Sequence, residues 1–165
     1  MVVSKSNVTF FIGSDHRGFK LKEQIKEFLV KQDIQFKDCG NTIYKKDDDY
    51  PDYAKAVAKQ IQKALKTTQP AKGILLCGSA EGMVIAANKF KAIRAALTTS
   101  KEQTILAVKD DHINVICIPA NTSKITKSKS IILAFLKAKT SQAKRHLRRI
   151  KKIKQIEKNN FKRLL

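Results

Sequence analysis

Five short apolar runs alternate with amphipathic stretches along this chain, and that alternation leaves few architectures open. The runs are Val8–Ile12, Ile34–Phe36, Gly73–Leu76, Ile93–Leu97 and Val115–Ile118. Between them apolar residues recur at helical spacing, as in Leu21, Ile25, Phe28 and Leu29 over residues 18–32, or Tyr53, Val57, Ile61 and Leu65 after Pro51. Further helices are predicted over 82–90, from a Ser100 cap to Val108, over 130–138, and over 141–159 in a last, basic segment. Residues 41–49 read as a polar, charged loop. Strand–helix alternation of this kind means parallel βαβ units with helices on both faces. The expected fold is therefore an α/β, Rossmann-like, three-layer α/β/α sandwich on a five-stranded parallel sheet of order 2-1-3-4-5. No linker, repeat or low-complexity block divides it, so residues 1–165 form a single domain.

In such a sheet ligands bind beyond the carboxyl ends of strands 1 and 3, where the winding reverses. Two loops with unusual chemistry fall there: Ser14-Asp15-His16-Arg17-Gly18 and Cys77-Gly78-Ser79-Ala80-Glu81-Gly82. The second joins a buried strand to an Ala-rich helix, so backbone N–H groups and a helix N-terminus converge on one point and suit an anion. A thiol at its mouth sits in the same positive field, which predicts a lowered pKa for Cys77. In the first loop, His16 can meet a phosphate and Asp15 a sugar hydroxyl, or both can simply cap a turn. Tyr50, before Pro51, reads as packing or as a site residue. Arg145 and Arg149 share a helix face and can clamp one phosphate, or lie in solvent. Cys39 and Cys117 read as small core residues.

Other chemistries are absent from the sequence. The Cys77 loop lacks the Gly-Lys-Ser/Thr ending of a nucleotide P-loop, no Gly-x-Gly-x-x-Gly follows strand 1, and there is no hydrolase nucleophile elbow. No Cys/His spacing suggests zinc. No apolar stretch reaches the length of a membrane span, and residues 1–6 lack the pattern of a leader peptide. Three scattered cysteines argue for a reducing, cytoplasmic setting. The formal charge is +20, with 15 Lys/Arg and one acid, Glu157, from Ser123 onward. Such a tail is either a solvated lysine-rich face or a non-specific nucleic-acid contact.

These motifs together resemble the type B ribose-5-phosphate isomerases, a family that includes allose- and galactose-6-phosphate isomerases. The resemblance rests on Gly13-Ser14-Asp15-His16-Arg17-Gly18, Asp49-Tyr50-Pro51, Gly73-Ile74-Leu75-Leu76-Cys77-Gly78-Ser79, Ile85-Ala86-Ala87-Asn88-Lys89, Ile93-Arg94-Ala95 and Arg145-His146-Leu147-Arg148-Arg149. It implies aldose–ketose isomerisation through a cis-enediolate, without metal or organic cofactor, with ribose 5-phosphate going to ribulose 5-phosphate. Cys77 then matches the base that moves a proton between C2 and C1, with Ser79 beside it and the loop from Gly78 through Ala80 and Glu81 to Gly82 holding the oxyanion. Asp15, His16, Tyr50 and Asn88 match substrate contacts, His16 on the phosphate side. Arg145 and Arg149 match a phosphate clamp offered across a dimer interface. The implied unit is a homodimer or tetramer, with the last helix reaching a partner.

The match has gaps. The family's ring-opening histidine aligns with Asp110, followed by Asp111, while His112 lies two residues on. A carboxyl of ordinary pKa is a poor acid at neutral pH. An arginine position after strand 5 is Asn121, a glycine of the anion loop is Ala80, and Glu81 adds a negative charge that is expected to face solvent. The alternatives are a hexose-6-phosphate isomerase and a catalytically weak sugar-phosphate or RNA-binding relative.

Overall fold

The computed structural model of the chain describes residues 8–67 and 69–162. The expectation about a leader peptide falls on residues outside that range. Five strands and six helices alternate: β1 (Thr9–Ser14), α1 (Phe19–Lys31), β2 (Phe36–Asp38), α2 (Tyr50–Lys66), β3 (Ala71–Cys77), α3 (Glu81–Ala87), β4 (Ala95–Leu97), α4 (Lys101–Asp111), β5 (Val115–Pro119), α5 (Ile125–Lys137) and α6 (Lys144–Lys162). All strand pairings are parallel. Alternate residues of each strand feed two cores. Phe10, Ile12, Ile74, Leu76, Ile116 and Ile118 pack under α1, α4 and α5. Phe11, Leu75, Val115 and Cys117 pack under α2 and α3. The three-layer expectation thus holds, and each buried Ile, Leu or Phe contributes roughly 1.5–3 kcal/mol.

The strand order is β2-β1-β3-β5-β4, not 2-1-3-4-5. Val115–Pro119 is buried at every position and bonds both ways, Gly73↔Val115 to Cys77↔Pro119 on one side and Ala95↔Val115 to Leu97↔Cys117 on the other. Ala95–Leu97 has three half-buried residues. A strand paired on both edges needs length and two apolar faces, and only β5 offers both, so β4 is displaced to the rim.

Local signals place the helix starts. Ser100 Oγ accepts the Gln103 N–H and caps α4, and Pro51 occupies the first turn of α2. Gly18 is a close approach: a Cβ there would lie 2.5 Å from the Leu76 carbonyl oxygen. The absent side chain lets the loop after β1 press against the end of β3, which brings the two predicted loops together.

Candidate active site

The carboxyl ends of β1 and β3 join Asp15 to Cys77. The Cys77 thiol donates to Asp15 Oδ2 at 2.8 Å, while Asp15 Oδ1 accepts the Gly18 N–H at 3.0 Å. Asp15 is buried, and its two oxygens divide between the turn, through the Gly18 N–H, and the Cys77 thiol. The expected lowering of the thiol pKa is overturned. Burial first, and then the hydrogen bond and charge of Asp15, push Cys77 up to about 11, against a smaller pull from the Gly78 and Ala80 N–H groups. The free site therefore stores a protonated thiol on a carboxylate acceptor.

The loop after Cys77 has the predicted shape. Ala80 is fully buried and left-handed, with φ 69° and ψ −6°, so the methyl carried where the family has glycine is held under strain. Glu81 opens α3 on the exposed side, as expected. The Ser79 hydroxyl engages its carboxylate and holds it below its ordinary pKa, so Ser79 turns its hydroxyl to the lip of the loop rather than to the thiol. Gly82 lies against Tyr50, where a Cβ would fall 2.6 Å from the phenol Cζ. Tyr50, 38% exposed, thus packs on the start of α3 at the surface.

Two further side chains flank Gly78. A Cβ on Gly78 would lie 2.7 Å from Arg17 Cδ and 3.2 Å from Asn121 Nδ2, and the Asn121 N–H donates to the Gly78 carbonyl at 3.0 Å. Among the described residues Arg17 has no acidic partner, so its guanidinium is free beside the loop. Arg17, from the loop after β1, and Asn121, from the end of β5, thus meet over Gly78, a juxtaposition invisible without the fold.

His16 is held on the same rim. Its backbone N–H donates to Asp48 Oδ1 at 2.9 Å, and its Nδ1 lies 2.7 Å from the same oxygen. Asp48 was missed in the sequence, where it is the middle of Asp47-Asp48-Asp49 in a polar loop. Only its side-chain exposure of 4% sets it apart.

The other predicted residues lie elsewhere. Cys77 pairs with Pro119 at one end of β5, whereas Asp111 precedes Val115 at the other, a separation of about 13 Å along the strand alone. Asp110 Oδ1 instead faces the buried His146 Nδ1 at 3.7 Å, and Arg145 Nε donates to His146 Nε2 at 2.9 Å. Asp111 lines a groove with Arg94, Ile153 and Ile156. His112 is the left-handed cap of α4, and its Nε2 lies 3.1 Å from the Ser141 carbonyl. Asn88 is corrected outright: its amide bonds the N–H and carbonyl of Ala95 at 2.8 and 2.9 Å, pinning β4 rather than a ligand. Arg145 and Arg149 are exposed on α6. One chain thus carries a thiol loop at one end and a His146–Asp110–Arg145 cluster at the other, and does not bring them together.

No group of His, Cys, Asp and Glu among the described residues has the arrangement of a metal site. No described helix is long and apolar enough to cross a membrane.

The sequence pattern of the Ribose/Galactose Isomerase family matches residues 10–153. A probable ribose-5-phosphate isomerase B of Mycoplasma genitalium is 38% identical over 90% of this chain and 95% of its own length. The crystal structure of ribose-5-phosphate isomerase B from that organism, with bound ribulose 5-phosphate, superposes with a TM-score of 0.83 at 38% identity, covering 92% of this chain and 97% of that one. The ribose 5-phosphate isomerase of Thermotoga maritima gives 0.82 at 35% identity, covering 91% and 99%.

Proposed function

Because the chain belongs to the ribose/galactose isomerase family, we propose that it interconverts ribose 5-phosphate and ribulose 5-phosphate, and that Cys77 is the base. The observation that carries this is the 2.8 Å contact between the thiol and Asp15 Oδ2 at the glycine loop. A nucleophile or base of unfavourable pKa is activated by an adjacent acceptor. Asp15 accepts the thiol proton as the Cys77 sulfur takes the C2 proton of the open-chain aldose. That carbon-bound proton is then returned to C1 while the O2 hydroxyl proton moves to O1, the thiol regains its own proton from Asp15, and the developing oxyanion meets the N–H groups of residues 78–82. Arg17, Asn121 and Tyr50 bound the sugar, and His16 faces its phosphate. The three relatives described above all carry the pentose name, which favours the five-carbon sugar over a hexose phosphate.

The cluster on α6 completes the site from a second copy of the chain. Arg145 and Arg149 clamp the phosphate of the partner's substrate, and Asp110, held beside His146, stands at the ring oxygen. The working unit is a cytoplasmic homodimer. Assay of ribose 5-phosphate isomerisation decides the reading: wild type turns over, and Cys77→Ala loses at least about a thousandfold in kcat. Equal background rates in the two proteins would sink it.

A further inference from the structure

The loop before α2 does more than connect two elements. Asp48 accepts four hydrogen bonds: the His16 N–H at 2.9 Å and Nδ1 at 2.7 Å on Oδ1, and the Tyr53 hydroxyl at 2.9 Å and Asn41 Nδ2 at 3.2 Å on Oδ2. Four donors fill the lone pairs of a carboxylate, so Asp48 has none left for a ligand. Burial opposes its charge, but the His16 N–H, the imidazole and the Tyr53 hydroxyl outweigh this and hold its carboxyl below its ordinary pKa. An ionised carboxylate only accepts, so the proton between the two residues sits on His16 Nδ1. The other ring nitrogen, Nε2, bonds no other described residue, and the His16 side chain is 27% exposed. The strap itself is anchored from below. Lys22, fully buried, donates to the Asn41 carbonyl at 2.6 Å and to Asp38 Oδ2 at 2.7 Å.

We propose that Asp48 is the positioning residue for His16, accepting Nδ1–H so that the protonated ring presents Nε2–H as a donor to the phosphate of the substrate. This rests on the reading of His16 as a phosphate contact. Which ring nitrogen is free is set by the bond the other one makes, and a ring held through both its backbone and Nδ1 is pre-organised for binding.

The test uses the full chain as wild type, Asp48→Asn and Asp48→Ala. Nitrogen-15 spectra of the histidine rings, with His16 assigned by His16→Gln, read the tautomer without substrate. In wild type Nδ1 carries a proton, and Asp48→Ala loses this preference for Nδ1. In steady-state assays Asp48→Asn raises KM for ribose 5-phosphate roughly 10- to 100-fold while kcat stays within about threefold. A wild-type ring whose Nδ1 carries no proton overturns the proposal. So does an unchanged KM in Asp48→Asn accompanied by a lowered melting temperature, the mark of a merely structural carboxylate. If wild type isomerises nothing, the functional reading fails, and the ring spectra still decide the Asp48–His16 pair.

Discussion

At the scale of single residues, the site is governed by one proton on Cys77. A thiol raised from 9.0 to about 11 carries about a hundredfold less thiolate at pH 8 than an ordinary cysteine. Since Asp15 is one of the groups raising it, Asp15→Asn lowers the pKa and increases the thiolate fraction. Iodoacetamide labelling of Cys77, followed by mass spectrometry across pH 7–11, is expected to be slow in wild type until the upper end of that range. In Asp15→Asn labelling speeds up at pH 8; an unchanged rate would show that Asp15 does not hold the proton. Cys117, wholly buried, is an internal control that stays unlabelled in the folded chain. The same geometry shows what was legible. Cys77, Asp15, His16 and Tyr50 stand out because their residue types are chemically loaded and sit at strand ends. Arg17 and Asp48 do not, because a free guanidinium over Gly78 and a buried carboxylate under His16 are properties of tertiary contact, not of neighbours in the chain.

Among the elements, the strands with β-branched runs were readable and their sideways order was not. Val115-Ile116-Cys117-Ile118 and Gly73-Ile74-Leu75-Leu76 declare buried strands, yet nothing local in Ile93–Leu97 says whether it sits beside β3 or outermost. That is decided by the competition for a place beside β3, which the longer and more apolar β5 wins. The field of the helix end was legible too, but its effect on Cys77 was misjudged because desolvation is set by layers packed from distant segments. The link between α1 and β2 offers a stability test. Burial opposes the charge of Asp38, and Lys22, Lys26 and the Gly40 N–H overcome it, holding the carboxyl below its ordinary value of 3.8. Lys22→Ala leaves that carboxylate and the Asn41 carbonyl short of a donor, at a cost of about 3 kcal/mol, read as a lower urea midpoint with unchanged slope. A depressed carboxyl adds stability above its unfolded pKa and loses it as pH falls through the folded one. The gap between wild type and Lys22→Ala is therefore wide at pH 7 and closes below about pH 4; a gap constant with pH would refute the pairing.

For the whole molecule, the separation of the Cys77 loop from the Arg145 cluster predicts complementation. Cys77→Ala and Arg149→Ala are each nearly inactive alone. Mixed in equal amounts and allowed to exchange subunits, they regain about a quarter of wild-type activity, since half the dimers are mixed and each mixed dimer has one intact site. No recovery after verified exchange would place the clamp in the same chain as its thiol. The rim of the sheet has a different consequence. Its two outermost strands, β2 and β4, are three residues each, and Asn88 already occupies the N–H and carbonyl of Ala95. An edge so short and partly taken presents few open rungs to a passing chain. The fold thus resists growing into ordered aggregates by strand addition, and a crowded cell can hold it at high concentration without its sheets templating one another.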